Sequence, residues 1–160
     1  MGQLRVRDIM TTQVISLGLT DTIKDATILL AVDNLSGAPV IDDDYHLAGI
    51  ISETDILDLI VKYEEELNLE DPVLHLLAFP MDYDIEDPNL KAVAEKISNT
   101  KVSELMCKDV LTTTPDAMVI DVLKTMLSKD VNRIPVLEKG VLVGIVSRSD
   151  IIFSIYKRKI

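Results

Sequence analysis

The sequence GIVSRSDI at positions 144–151 repeats, with few changes, the sequence GIISETDI at positions 49–56. In each copy a β-branched run ends in a serine, Ser52 or Ser147, and an aspartate follows three residues later, Asp55 or Asp150. Helical periodicity begins at the same place, so the pattern predicts a strand that runs directly into a helix. Such a junction brings backbone N–H groups, a hydroxyl and a carboxylate to one spot, which suits a ribose or a phosphate.

The similarity between the two halves extends beyond these junctions. Val6 aligns with Val102, a shift of 96 positions, and the register persists through both junctions after one gap in a loop. We therefore divide the chain into a first copy (1–60), an insert (61–101) and a second copy (102–160). At about 55 residues a copy is too short to bury a core alone, so we expect both to share one interior with pseudo-twofold symmetry.

Periodicity predicts the same element order in both copies: strand, helix, hairpin and helix. The first copy has a strand at 13–17, a helix capped by Thr20 or Asp21, strands at 38–41 and 47–51, and a helix after Ser52. The second has a strand at 110–113, a helix capped by Asp116, strands at 134–137 and 141–146, and a helix from Asp150. Asp87 and Pro88 predict the start of a helix in the insert. The fold class is α+β, with two pseudo-symmetric β-α-β-β-α motifs in one module and a helical insert between them.

Composition excludes several classes of function. The chain has 27 acidic and 16 basic residues and a formal charge of -11, which argues against nucleic acid and anionic membranes as partners. The single Cys107 and two separated histidines, His46 and His75, predict neither a disulfide framework nor a metal site. Apolar runs are far shorter than the roughly 20 residues of a membrane helix. With no apolar signal region at the N-terminus, we expect a cytoplasmic protein.

Taken together, the two copies resemble cystathionine β-synthase (CBS) motifs. The resemblance in the first copy is carried by Met10, GAPV at 37–40 and the junction at 49–55, and in the second by Met106, NRIPV at 132–136 and the junction at 144–150. It implies a tandem CBS pair, or Bateman module, that binds an adenosyl ligand such as AMP, ADP, ATP or S-adenosylmethionine in clefts between the motifs. It further implies a homodimer and a regulatory role, such as energy sensing, exerted on a partner protein.

The resemblance also implies which residues contact the ligand. The junction aspartates, Asp55 and Asp150, are expected to bind ribose hydroxyls. The other expected contacts are the junction hydroxyls and the residues around each proline strand, namely Ser52, Thr54, Ser147, Ser149, Ala38, Pro39, Ile134 and Pro135. An ionised aspartate accepts two hydrogen bonds from a vicinal diol, which supports this role independently. The alternative for both aspartates is simple helix capping.

The copies differ in charge at two matched positions. The second copy has Arg133 and Arg148 where the first has Gly37 and Glu53. Because phosphate needs positive charge in so acidic a chain, we expect AMP, ADP or ATP at the second copy, with Asp150, Ser147, Arg133 and Arg148 as contacts. The first site is then empty or prefers a ligand without phosphate. For both arginines the alternative is a solvated surface position.

Nothing in the sequence supports catalysis. It contains no phosphate-binding glycine loop, no histidine beside a serine or cysteine in either copy, and no clustered metal ligands. The leading hypothesis is a regulatory sensor that is not an enzyme and has no obligatory cofactor. The alternative is a ligand-free structural dimerisation module. The insert is the candidate partner surface, since the repeat does not explain it.

Overall fold

The computed structural model describes residues 3–67 and 88–158. The apolar run at 73–79, the acidic loop at 81–87 and the predicted cap Asp87 lie outside these residues. No helix in the described part is both long enough and apolar enough to cross a bilayer.

The first copy follows the predicted order of strand, helix, hairpin and helix, and the second copy follows it from the helix onward. The first copy contains α1 (Val6–Ile9), β1 (Leu17–Gly18), α2 (Ile23–Val32), β2 (Gly37–Ile41), β3 (Leu47–Ser52) and α3 (Glu53–Leu67). The rest comprises α4 (Pro88–Asn99), α5 (Val102–Leu105), α6 (Val119–Lys129), β4 (Arg133–Glu138), β5 (Val141–Ser147) and α7 (Arg148–Arg158). One sheet has the order β1-β2-β3, and β4 pairs antiparallel with β5 in another. The α+β fold is confirmed, and α3 and α7 each begin directly after a strand.

The chain forms two compact units that do not coincide with the two copies. Unit 1 comprises Met1–Ser16, Ile41–Ala48 and Lys108–Ile160, and unit 2 comprises Leu17–Val40 and Gly49–Cys107. Each copy therefore gives its opening residues to the unit built around the other copy. We call residues 3–11 the first lead-in segment and residues 99–107 the second lead-in segment.

In unit 1 the first lead-in segment is part of the core. The N–H group of Val6 donates to Ala117 O at 2.9 Å, and that of Val119 donates to Leu4 O at 3.0 Å. Val6 is completely buried and belongs to an apolar cluster with Val119, Met126 and other residues of α6, the β4–β5 hairpin and α7. The segment is thus bonded through its backbone and packed through its side chains.

Unit 2 is built in the same way. The N–H group of Ile23 donates to Thr100 O at 2.7 Å, and that of Val102 donates to Asp21 O at 2.9 Å. Val102 is completely buried in a second apolar cluster, to which α4 contributes Ile97. The lead-in segment of one copy therefore closes the core of the other, and each unit has an apolar cluster of its own. The expectation of one interior shared by both copies stays a prediction.

Both helix caps that the sequence suggested for the repeat are corrected. The cap of α2 is Thr22, whose hydroxyl accepts from Asp25 N, rather than Thr20 or Asp21. Met118 precedes α6, while the carboxylate of Asp116 pairs with Arg7. Tertiary contacts explain the difference at α6, since a lead-in carbonyl already accepts from the first N–H group of this helix.

The predicted opening strands are shorter than expected. β1 contains only Leu17 and Gly18, and in the second copy the pairing is a single parallel bridge between Thr113 and Val136. Residues 11–16 are exposed or half-buried, so their alternating pattern buries no complete face. The alternating pattern therefore predicted longer strands than the structure contains, because the pattern is not accompanied by a buried face.

Candidate ligand-binding site

The second junction places Ser147 and Asp150 in a reciprocal capping arrangement. The N–H group of Ser147 donates to Asp150 Oδ2 at 2.9 Å, and the N–H group of Asp150 donates to Ser147 Oγ at 3.0 Å. Strand β5 ends at Ser147 and α7 begins at the next residue, so the pair lies at the positive end of a helix. Asp150 therefore caps α7, which is the alternative that the sequence analysis gave for it. The cap uses only one of its two carboxylate oxygens, Oδ2.

The other carboxylate oxygen of Asp150 faces a residue that the sequence analysis missed. The hydroxyl of Thr11 donates to Asp150 Oδ1 at 3.3 Å. Thr11 is positioned by an antiparallel bridge, in which Thr11 N donates to Ile145 O at 2.8 Å and Ile145 N donates to Thr11 O at 2.9 Å. The sequence provides little indication of this contact, because the repeat does not show that the lead-in segment reaches the junction. The adjacent Met10, one of the residues that carry the CBS resemblance, could have drawn attention to Thr11.

A cation stands next to the same junction. Arg133 is the register partner of Ser147 in the antiparallel β4–β5 pair. Directly opposed residues of such a pair project their side chains from the same face, so the half-buried Arg133 lies beside Ser147. We call Thr11, Arg133, Ser147 and Asp150 the unit 1 site.

Arg148 occupies a different position from the one expected. Its Nε donates to Val131 O at 3.0 Å, and its Nη2 donates to Met126 O and to Asp130 Oδ1, both at 3.3 Å. The guanidinium therefore satisfies carbonyl groups at the C-terminus of α6, where a cation is favoured. Contact between Arg148 and phosphate stays a prediction, and we do not include Arg148 in the unit 1 site.

The predicted base-contacting residues have buried side chains. Ala38 and Ile134 are 1% and 2% exposed, and Pro39 and Pro135 are completely buried. Contact between these residues and an adenine base stays a prediction. Because their side chains are buried, such a contact would be made by their backbone atoms. Ser149 and Thr54 are exposed near the starts of α7 and α3, and their contacts with a ligand also stay predictions.

The first junction has the same capping arrangement with different surroundings. The N–H and hydroxyl groups of Ser52 both donate to Asp55 Oδ2 at 2.9 Å, and Asp55 N donates to Ser52 Oγ at 3.3 Å. Cys107 takes the place of Thr11, because its backbone N and O bond to Ile50 just as those of Thr11 bond to Ile145. We call Gly37, Ser52, Asp55 and Cys107 the unit 2 site.

Elsewhere in the described chain, potential metal ligands meet in the turn between β2 and β3. Ligand atoms of Asp42, Asp44 and His46 lie within 4.8 Å of one another. Asp42 Oδ1 accepts from the backbone N–H groups of His46 and Asp44 at 2.9 Å each. These bonds, led by the one from His46, lower the pKa of the Asp42 carboxyl. The same bonds form a tight turn, which explains why the three side chains lie close together. We therefore assign no metal ion to this cluster.

The fold and the two sites define a class: an α+β protein built from one duplicated motif, in which each motif ends in a strand-to-helix junction with a serine and an aspartate. The model of the CBS domain matches residues 6–62 and 102–157, so the chain belongs to the CBS domain family.

The chain is similar to several proteins of one archaeon. An uncharacterised protein of Methanocaldococcus jannaschii, MJ1426, is 35% identical over 149 residues, covering 92% of this chain and 88% of that protein. The chain spans only 41% and 32% of two further relatives from this organism, MJ1225 and MJ1404.

Solved structures with the same fold include CBSX2 in complex with AMP, with a TM-score of 0.72, 23% identity and 98% of both chains covered. They also include the CBS domain pair of protein MJ0100 in complex with 5′-methylthioadenosine and S-adenosyl-L-methionine, with a TM-score of 0.65, 22% identity, and 98% of this chain and 99% of that one covered. At these identities the likeness establishes the fold.

Proposed function

We propose that this chain is a regulatory module that binds an adenosyl ligand and that the unit 1 site anchors a nucleotide such as AMP. The observation that carries the proposal is the convergence of Thr11, Ser147 and Asp150 at the start of α7, with Arg133 beside them. The AMP complex of CBSX2 and the nucleoside complex of MJ0100 support the ligand class by analogy.

The arrangement of Asp150 suits a ribose diol. Its Oδ2 is held by the cap, whereas its Oδ1 accepts only a long bond of 3.3 Å from the Thr11 hydroxyl among the described contacts. A ribose hydroxyl would replace that weak contact with a shorter, charge-assisted one and leave the cap intact. The α7 N-terminus and Arg133 then provide positive potential for a phosphate.

Regulation requires that the ligand prefer one arrangement of the protein over another. The energy available to a partner protein is the difference between the ligand's affinities for the two arrangements. We expect this chain to act through such a partner rather than by catalysis. One relative is an enzyme, the A-adding tRNA nucleotidyltransferase of Aquifex aeolicus, but the chain spans 14% of that enzyme, and we do not extend its activity to this chain.

Thermal melting tests the ligand class. AMP, ATP or S-adenosylmethionine at about 100 times its dissociation constant should stabilise the fold by about 2.7 kcal/mol, because only the folded state binds. For a chain of this size that corresponds to a rise in Tm of roughly 5–10 °C. GMP at the same concentration serves as the control. Unchanged melting with every adenosyl compound would favour the structural dimerisation module.

The proposal includes a homodimer, for which α7 offers an apolar face. Ile152, Phe153 and Tyr156 lie on one side of this helix and are 62–68% exposed. At the matched positions of α3, Leu57 and Val61 are 52% and 54% exposed. Large exposed apolar side chains grouped on a helix face are typical of protein interfaces.

Replacing Phe153 with glutamate is expected to convert the dimer to a monomer, since a charge in the centre of an apolar interface loses its solvation. Sedimentation equilibrium measures the mass directly. Val32→Glu is the matched control, because Val32 is likewise a large apolar side chain, is 77% exposed, and belongs to α2 rather than α7. A wild-type monomer, or a Phe153→Glu variant that stays dimeric, would contradict the assignment.

A further inference from the structure

The two sites share one backbone plan and differ in the side chains attached to it. In both, a serine and an aspartate cap a helix that follows a strand, and a lead-in residue is bridged to that strand. The matched positions are Thr11 and Cys107, Arg133 and Gly37, Ser147 and Ser52, and Asp150 and Asp55. Any difference in the ligands that the two sites prefer is therefore expected to come from the side chains and charges around this plan.

The first difference is the cation beside the serine. Arg133 lies opposite Ser147 in unit 1, whereas the matched position in unit 2 is Gly37. A Cβ at Gly37 would lie 3.1 Å from Ile51 O, so the backbone there runs close to the neighbouring strand. Unit 2 thus has no guanidinium at the place where unit 1 provides one.

The second difference is the charge at the start of the helix. Glu53 is the first residue of α3, directly after Ser52, and its side chain is exposed. A carboxylate in the first turn already neutralises part of the helix N-terminal potential that a phosphate would use. The matched residue of unit 1 is a cation, Arg148, whose guanidinium is bonded to the end of α6 and paired with Asp130.

The third difference extends over the whole units. Among the residues that the structure describes, unit 1 contains 10 basic and 10 acidic residues, whereas unit 2 contains 5 basic and 11 acidic residues. The net negative charge of the described residues therefore belongs to unit 2. Summed charges of this size repel anions and concentrate cations near the surface.

On the basis of the proposed function, we infer that the two sites take different classes of adenosyl ligand. The unit 1 site binds a nucleotide with phosphate, and the unit 2 site binds a phosphate-free nucleoside that is neutral or cationic. Asp55 retains the carboxylate that recognises a ribose, so unit 2 keeps the sugar specificity. A sulfonium nucleoside matches its charge, because its cation is attracted where a phosphate is repelled.

Isothermal titration of the full chain with AMP and S-adenosylmethionine tests this inference. AMP should bind with a stoichiometry of one per chain, and saturating AMP should change the affinity for S-adenosylmethionine by less than about threefold. Asp55→Asn should weaken S-adenosylmethionine binding at least tenfold, since one charge-assisted contact to the sugar is lost. Asp25→Asn is the matched control, because Asp25 forms the same kind of capping box with Thr22 in unit 2.

The possible failures are distinct. Competition between the two probes, two AMP molecules per chain, or an Asp55→Asn variant that binds S-adenosylmethionine as tightly as Asp25→Asn does would overturn the inference and leave the proposed function standing. Binding of neither probe to the wild-type chain would overturn the proposed function itself. The competition experiment needs no variant, so it remains decisive if Asp55→Asn folds poorly.

Discussion

Replacing Asp150 with asparagine is expected to weaken AMP binding by about 30-fold, or roughly 2 kcal/mol. The substitution keeps the size of the side chain and removes its charge, so the bonds from a ribose diol lose their charge-assisted character. The backbone N–H group of Ser147 still finds an oxygen acceptor in the amide, which limits the damage to the α7 cap. Isothermal titration at fixed ionic strength measures the affinity.

The control for Asp150 is a carboxylate with the same local role. Asp8 in unit 1 accepts from Arg5 N at 2.8 Å at the start of α1, so Asp8→Asn also neutralises a capping aspartate. We expect its AMP affinity to stay within about twofold of the wild type, a range typical of surface substitutions. If Asp150→Asn binds AMP as tightly as Asp8→Asn does, the aspartate is a helix cap and nothing more.

Gly49→Ala should destabilise the protein by about 2–3 kcal/mol, the cost of forcing a methyl group into a filled space. A Cβ at Gly49 would lie 2.7 Å from the Cys107 carbonyl oxygen and 2.8 Å from Met106 Sδ. The carbonyl is bonded to Ile50 N, so it cannot retreat without breaking the bridge that holds the second lead-in segment. Thermal melting should show a decrease in Tm of roughly 4–12 °C.

Gly18→Ala isolates the packing effect. Gly18 also lies in unit 2, but its added Cβ would meet nothing closer than Asp21 Oδ2 at 3.7 Å, an ordinary contact. We expect this variant to melt within about 2 °C of the wild type, as for substitutions without a packing conflict. Equal melting temperatures for the two alanine variants would mean that Gly49 is not required for the lead-in contact.

The corresponding glycine of unit 1, Gly144, is subject to the same restriction, because a Cβ added there would lie 3.0 Å from Thr11 O.

Local patterns predicted the elements of this protein well wherever burial followed periodicity. Periodicity predicts one buried face of α2 with Ile23, Ala26, Thr27 and Leu30 and one of α6 with Val119, Val122, Leu123 and Met126. Thr27 and Leu123 are half-buried, and the other six residues are buried. The helix starts after Ser52 and Ser147 also follow from local chemistry, because a serine and an aspartate three residues apart satisfy each other's backbone groups. Such features need only a few neighbouring residues.

The duplicated motif, the α+β class and the serine–aspartate junctions could be predicted from the sequence, since each of these is encoded by residues close together in the chain. Three features became visible only in the folded protein: each lead-in segment closes the core of the other copy's unit, Thr11 contacts Asp150, and Arg148 bonds to the end of α6. Thr11 and Asp150 are 139 positions apart, and no periodicity encodes a pairing at that separation. Long-range backbone bridges and the packing of Val6 and Val102 establish those contacts, so they emerge only when the cores form.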